Sequence, residues 1–213
     1  MASRRDILLD LLHSASEAGL ATHSAALPGY PFASSVAFAT DEHHRPVLLI
    51  SRLAEHTQNL AADPRASLVV ARSLGEGEIA RASLMGELAP MEADARLTAR
   101  YLRFQPAAER FLQLGDFRFH RFEPRRIRIV GGFGQAGWLE AADLLKAPSL
   151  DLDEETRLME AAAPRLPAKT ILLGLDPYGA DILVDGTRRR HTFVAGPVLG
   201  DALLAALLRE LAP

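Results

Sequence analysis

Cysteine is absent from all 213 residues. That removes disulfides, thiolate metal sites and a cysteine nucleophile together. No apolar run approaches the roughly 20 residues that a membrane-spanning helix needs. The leucine-rich start, MASRRDILLDLLHSASEAG, is interrupted by Asp6, Asp10 and His13, so the unbroken hydrophobic segment of a signal peptide is missing. Leu8, Leu9, Leu11 and Leu12 instead mark one face of an amphipathic helix. A dominant charge is missing too. The formal net charge is −3, which leaves no electrostatic footprint for nucleic acid. None of the seven histidines stands four residues from another, and there is no H-E-x-x-H, so a two-histidine helical zinc site is excluded. No G-x-S-x-G occurs, which leaves a serine hydrolase without support. The expectation is a cytoplasmic protein with no membrane and no nucleic-acid partner.

What is present suffices for a folded core, since 48% of residues are hydrophobic. Strand patterns dominate 19–134, at 19–25, 29–40, 47–51, 66–72, 80–91, 116–124 and 126–134. The pair 29–40 and 47–51 reads as a hairpin around DEHHRP. Short helices are expected near 53–63, 92–104 and 107–114. The order is not a regular alternation of strand and helix, so an antiparallel barrel-like domain is favoured over a doubly wound sheet. A boundary falls near LKAPSLDLD. Beyond it come a helix at 153–163, strands at 169–175, 180–186 and 188–195, and a last helix capped by Asp201. The division is 1–145 for the barrel and 146–213 for a small C-terminal α+β domain.

One stretch concentrates polar chemistry. SRLAEHTQNL, residues 51–60, follows the apolar PVLLI directly. A helix N-terminus carries unpaired N–H groups and attracts phosphate. Ser51 and Thr57 add hydroxyls, and Arg52 and His56 add charge or donors. Helical spacing sends Leu53, Leu60 and Ala61 to the core and groups Arg52, His56, Asn59 and Asp63 on another face. An ordinary capped surface helix would show the same pattern. GFGQAG, residues 132–137, fits G-x-G-x-x-G, but only some 76 residues follow it, too few for a dinucleotide-binding sheet. His43 and His44 read as a solvated turn, His120 as the polar side of a strand, and RRRH at 188–191 as an exposed strand edge.

GYPFASSVAFATDEHHRPVLLISRLAEHTQNLAADPRASLVV resembles the pyridoxamine 5′-phosphate oxidase-related, FMN-binding split barrels. It is closest to the branch of HugZ-type haem-utilisation proteins. IVGGFGQAGWL at 129–139 resembles a second hallmark of that branch, and 172–198 is similar to the small domain that follows its barrel. The resemblance implies an α+β fold: an antiparallel, six-stranded Greek-key split β-barrel with short helices. It also implies a homodimer with the cofactor at the subunit interface. FMN would lie with its phosphate near Ser51, Arg52, His56, Thr57 and Asn59, approached by Ser34 and Ser35, with Gln135 and Trp138 at the rim. A flavin-dependent oxidoreductase is the implied function. The alternatives are a haem-binding or haem-degrading protein and a non-enzymatic dimeric binding protein.

Overall fold

A computed structural model describes residues 3–75, 78–131 and 136–211. The elements run α1 (Arg4–Ser14), β1 (Glu17–His23), β2 (Pro31–Ala37), β3 (Ala39–Thr40), β4 (Pro46–Ser51), α2 (Glu55–Ala62), β5 (Arg65–Gly75), β6 (Glu78–Pro90), α3 (Ala95–Phe104), α4 (Glu109–Leu112), β7 (Phe117–Gly131) and β8 (Ala136–Glu140). Then follow α5 (Ala141–Leu145), α6 (Leu152–Ala162), β9 (Thr170–Asp176), β10 (Gly179–Val184), β11 (Thr187–Thr192) and α7 (Asp201–Glu210).

The first sheet is antiparallel in the order β2-β1-β5-β6-β7-β4-β3, with β8 paired to β7. Its two edge strands, β2 and β3, are separated in the chain by Phe38 alone. The edges must therefore meet, and the sheet curls into the expected split barrel. Phe38 is fully buried at this junction. Eight strands are present rather than six, because the two-residue β3 and the returning β8 count separately. The expected hairpin of 29–40 with 47–51 is narrower than predicted. Only β3 pairs β4, whereas β2 turns back on β1 from Pro31↔His23 to Ala37↔Glu17.

The run VLLI is apolar at every position because β4 is covered on both faces. Leu48 and Ile50 join the barrel core, while Val47 and Leu49 face Tyr101 and Phe104 of α3. The Tyr101 hydroxyl accepts the Leu49 N–H at 3.2 Å. A capping box of Ser3 and Asp6 starts α1, and Leu8, Leu9, Leu11 and Leu12 insert into the barrel core. Burying each leucine stabilises by about 1.5–3 kcal/mol relative to leaving it exposed. The two strands expected at 116–124 and 126–134 are one, β7. Its register with β6 shifts between Met85 and Gly86, beside Pro124, which a bulge tolerates. There a side chain at Gly86 would place its Cβ 2.1 Å from the Glu123 carbonyl oxygen.

The second sheet has the order β11-β10-β9, and α6 and α7 pack on it. Asp151 caps α6, its carboxylate accepting the N–H groups of Asp153 and Glu154 at 2.9 Å. The expected cap at Asp201 is displaced. Gly200, at φ +61°, occupies the cap position and offers no capping side chain. Glycine reaches that conformation without the penalty a side chain brings. No helix among the described residues is long and apolar enough to cross a membrane.

Candidate functional site

The strand end of β4 hands the chain to α2 through a short turn. Ser51 and Arg52 are tied to the start of β7: the Ser51 hydroxyl donates to Asp116 Oδ2 at 2.5 Å, and the Arg52 N–H donates to the Asp116 carbonyl at 2.9 Å. Ser51 Oγ also accepts the Leu53 N–H at 3.0 Å. The helix proper begins at Glu55, two residues later than the polar pattern suggested. Leu53 therefore lies in the turn and is 77% exposed, not buried. Leu60 does face the core, but Ala61 is exposed.

Asn59 was grouped with the polar face, yet it is fully buried. Its carbonyl oxygen accepts the Ala25 N–H at 2.8 Å, and its amide donates to Thr22 Oγ1 at 3.0 Å. Both ends of the side chain are thus used to moor α2 to β1 and the loop after it. Ser34 and Ser35 project from opposite faces of β2, as strand alternation requires. Ser34 Oγ meets His56 Nδ1 at 3.1 Å, whereas Ser35 is exposed and donates to Glu17 at 3.3 Å. Gln135 lies outside the described residues.

The structure thus brings Ser34 and His56 together, with Thr57 next along α2. His56 Nε2 and Thr57 Oγ1 are buried, and neither has a hydrogen-bond partner among the described residues. Unpaired buried polar atoms on adjacent residues leave hydrogen-bonding capacity that a ligand or water can take up. Burial pushes the His56 imidazole below its ordinary value, and the charge of nearby His120 pushes the same way. A neutral imidazole with a free nitrogen is competent to ligate a metal centre or to bond a polar ligand. His120 is not the solvated side of a strand. It is 4% exposed, and its Nδ1 donates to the Arg118 carbonyl at 3.1 Å.

Ser35 lies on the outer face of the barrel in a row that crosses the sheet: Ser35↔Gly19↔Val69↔Ser83↔Arg128↔Trp138. Val69 and Trp138 are large apolar side chains left more than 40% exposed there. The Arg126 and Arg128 guanidiniums stack on Trp138, 4.3 and 5.4 Å from its ring centre.

A second polar cluster was not legible. His44, expected in solvent, is 1% exposed and meets His13, while Arg188 and Arg190 of β11 turn inward toward Asp176 and Asp181. These residues lie far apart in the chain, and no spacing rule connects them. Only the interruption of the first helix's apolar face by His13 marked one of them.

A family model described as "CREG, beta-barrel" matches residues 9–146. A chloroplastic non-canonical heme oxygenase of Arabidopsis thaliana, HOZ, is 38% identical over 119 residues, covering 55% of this chain and 37% of the plant protein. The chain thus spans little more than a third of that relative's length. A heme binding protein from Mycobacterium smegmatis is 26% identical with TM-score 0.65, over 100% of this chain and 97% of the other. A protein of unknown function from Agrobacterium tumefaciens shares the fold with TM-score 0.75 at 24% identity, over 99% and 98% of the two chains.

Proposed function

We propose, on the premise that the chain belongs to the CREG β-barrel family, that it binds haem beside the N-terminal turn of α2. The observation that carries this reading is the free, buried Nε2 of His56. Two relatives named for haem, one of them alike over its whole length, support it. Haem supplies iron redox chemistry when bound, and its iron needs a side-chain ligand. His56 offers a neutral nitrogen, Ser34 fixes the ring through Nδ1, and Asn59 holds the helix that carries both His56 and Thr57.

FMN is the second reading, favoured by the free Thr57 hydroxyl at a helix N-terminus. The Asp116 carboxylate at Ser51 stands against it, because it places an anion where the flavin phosphate would sit. Ser51 and Arg52 then serve the turn rather than the cofactor. We place a second copy of the chain on the outer face that carries Ser35, Val69 and Trp138, across β2 from the face on which Ser34 meets His56. Flavin-dependent oxidoreduction belongs with this second reading, and a cytoplasmic location goes with either.

Titrating the purified protein with haem tests the assignment. A Soret band that saturates at one haem per chain and is lost in His56→Ala supports it. Saturation by FMN with no response to haem would replace it with the flavin reading. Light scattering should give a dimer that Val69→Arg weakens; a monomeric wild type would refute the second copy on this face.

A further inference from the structure

Three parts of the fold meet at one buried contact. His13 ends α1, His44 sits in the turn between β3 and β4, and Asp181 belongs to β10 of the second sheet. His13 Nδ1 lies 2.9 Å from Asp181 Oδ2, and His13 Nε2 lies 3.0 Å from His44 Nδ1. A carboxylate only accepts, so Nδ1 of His13 carries a proton. The two facing ring nitrogens then have room for one proton between them. With one, either ring donates to the other. Once His44 Nε2 and both facing nitrogens carry protons, both rings are cations and two N–H donors face each other at 3.0 Å, so the contact cannot persist.

We propose that the His13–His44 pair is an acid-opened latch, which holds the second sheet against the barrel until a second proton enters the contact. The His44 backbone stands at φ +62° in a turn held by Asp41, whose Oδ1 accepts the His43 and Arg45 N–H groups and whose carbonyl accepts the His44 N–H, so the ring is presented to His13 from a fixed turn. Burial lowers the His44 imidazole to about 4, which keeps the latch closed at neutral pH.

The charged groups around the pair come from every neighbouring element. Asp176 of β9 lies 3.6 Å from His13 Nδ1. Arg190 of β11 lies 2.8 Å from Asp176 Oδ2 and 3.3 Å from Asp181 Oδ2. Arg188 of β11 donates to the His13 carbonyl at 2.5 Å, and Tyr178, edge-on to His44, lies beneath Arg5 of α1. Arg100 of α3, paired with Glu155 of α6, completes the surround, and Asp41 of the turn is engaged by Arg45. His13, His44 and Asp176 also have the donor chemistry of a metal site. Arg190 already matches the Asp176 charge, so a divalent ion would add two charges where the second proton adds one.

TROSY spectra of the full chain between pH 7 and 4 test the latch. The amides of 11–14, 41–45 and 179–184 should shift together with a midpoint near 4, while those of the β5–β6 ladder stay fixed. In His44→Asn the shared transition should vanish or fall by at least about one pH unit, since asparagine tolerates positive φ but takes up no proton. An unchanged midpoint in that variant would assign the transition to carboxylates and overturn the proposal. So would a wild type without any transition. Should His44→Asn not fold, His13→Asn reads the same contact from the other side. Zinc ions added at pH 7 should change nothing; the same amides shifting with zinc, and not in His44→Asn, would make the cluster a metal site instead.

Discussion

Glu155 of α6 is the anion on which the contact between the barrel and the second sheet depends. Its side chain is 2% exposed and bonds three donors. Arg100 of α3, 3% exposed, reaches Oε1; Arg103 reaches Oε2 at 3.0 Å; and the Leu175 N–H of β9 donates to Oε1 at 2.9 Å. Arg100 also donates to the Thr40 carbonyl at 2.9 Å, so it cannot swing out to water without breaking that bond. Glu155→Gln keeps an oxygen for Leu175 but removes the charge. Arg100 is then a buried cation without a directly bonded counter-ion, a situation that costs about 3–5 kcal/mol. Arg103 adds little to the loss, because its side chain is 25% exposed and water can take the place of the carboxylate. Arg100→Met combined with Glu155→Gln removes both charges and keeps the Leu175 bond. The double variant should therefore be less destabilised than the sum of the singles by at least about 2 kcal/mol. Urea denaturation followed by circular dichroism reads these values, with an unchanged slope as the two-state control. Singles that add to the double, or a Glu155→Gln loss below about 1 kcal/mol, would refute the claim that this charge is buried and unreplaced.

Gly86→Ala should destabilise by about 2–3 kcal/mol in the same assay, because its Cβ would meet the Glu123 carbonyl at 2.1 Å and only a shift of β7 relieves it. Asn59→Ala leaves the Ala25 N–H unpaired; a loss of about 1–3 kcal/mol and weaker haem binding are expected, and full-strength haem binding would detach α2 from the site. His56 is held below 6.5 chiefly by burial, so its neutral, ligating form persists as pH falls. Haem affinity should stay level from pH 8 down to 6.5 and drop only below; a drop centred at or above 6.5 would exclude His56 as the controlling group.

Much of the barrel was legible because its signals are local. The four leucines of α1, the alternation of β7 and the apolar run of β4 each announce burial through period alone. The failures share a cause: each concerns a residue whose partner is distant in the chain. Nothing near Asn59 says that Thr22 and Ala25 will take up its amide. Nothing near His44 says that α1 will present His13 to it, since thirty-one positions separate them. RRRH looked like a solvated edge because alternation alone cannot say which face of β11 meets another layer, and here Asp176 and Asp181 wait on the inner one. The same limit shaped the reading of SRLAEHTQNL. As a phosphate-binding helix start it treated five polar side chains as equivalent. The fold divides them: Ser51 and Arg52 build the turn on Asp116, Asn59 anchors the helix, and only His56 and Thr57 keep buried polar atoms free. A ligand bound there is held by what the fold has left unpaired, so these two side chains, rather than the whole motif, are where loss of binding should be sought.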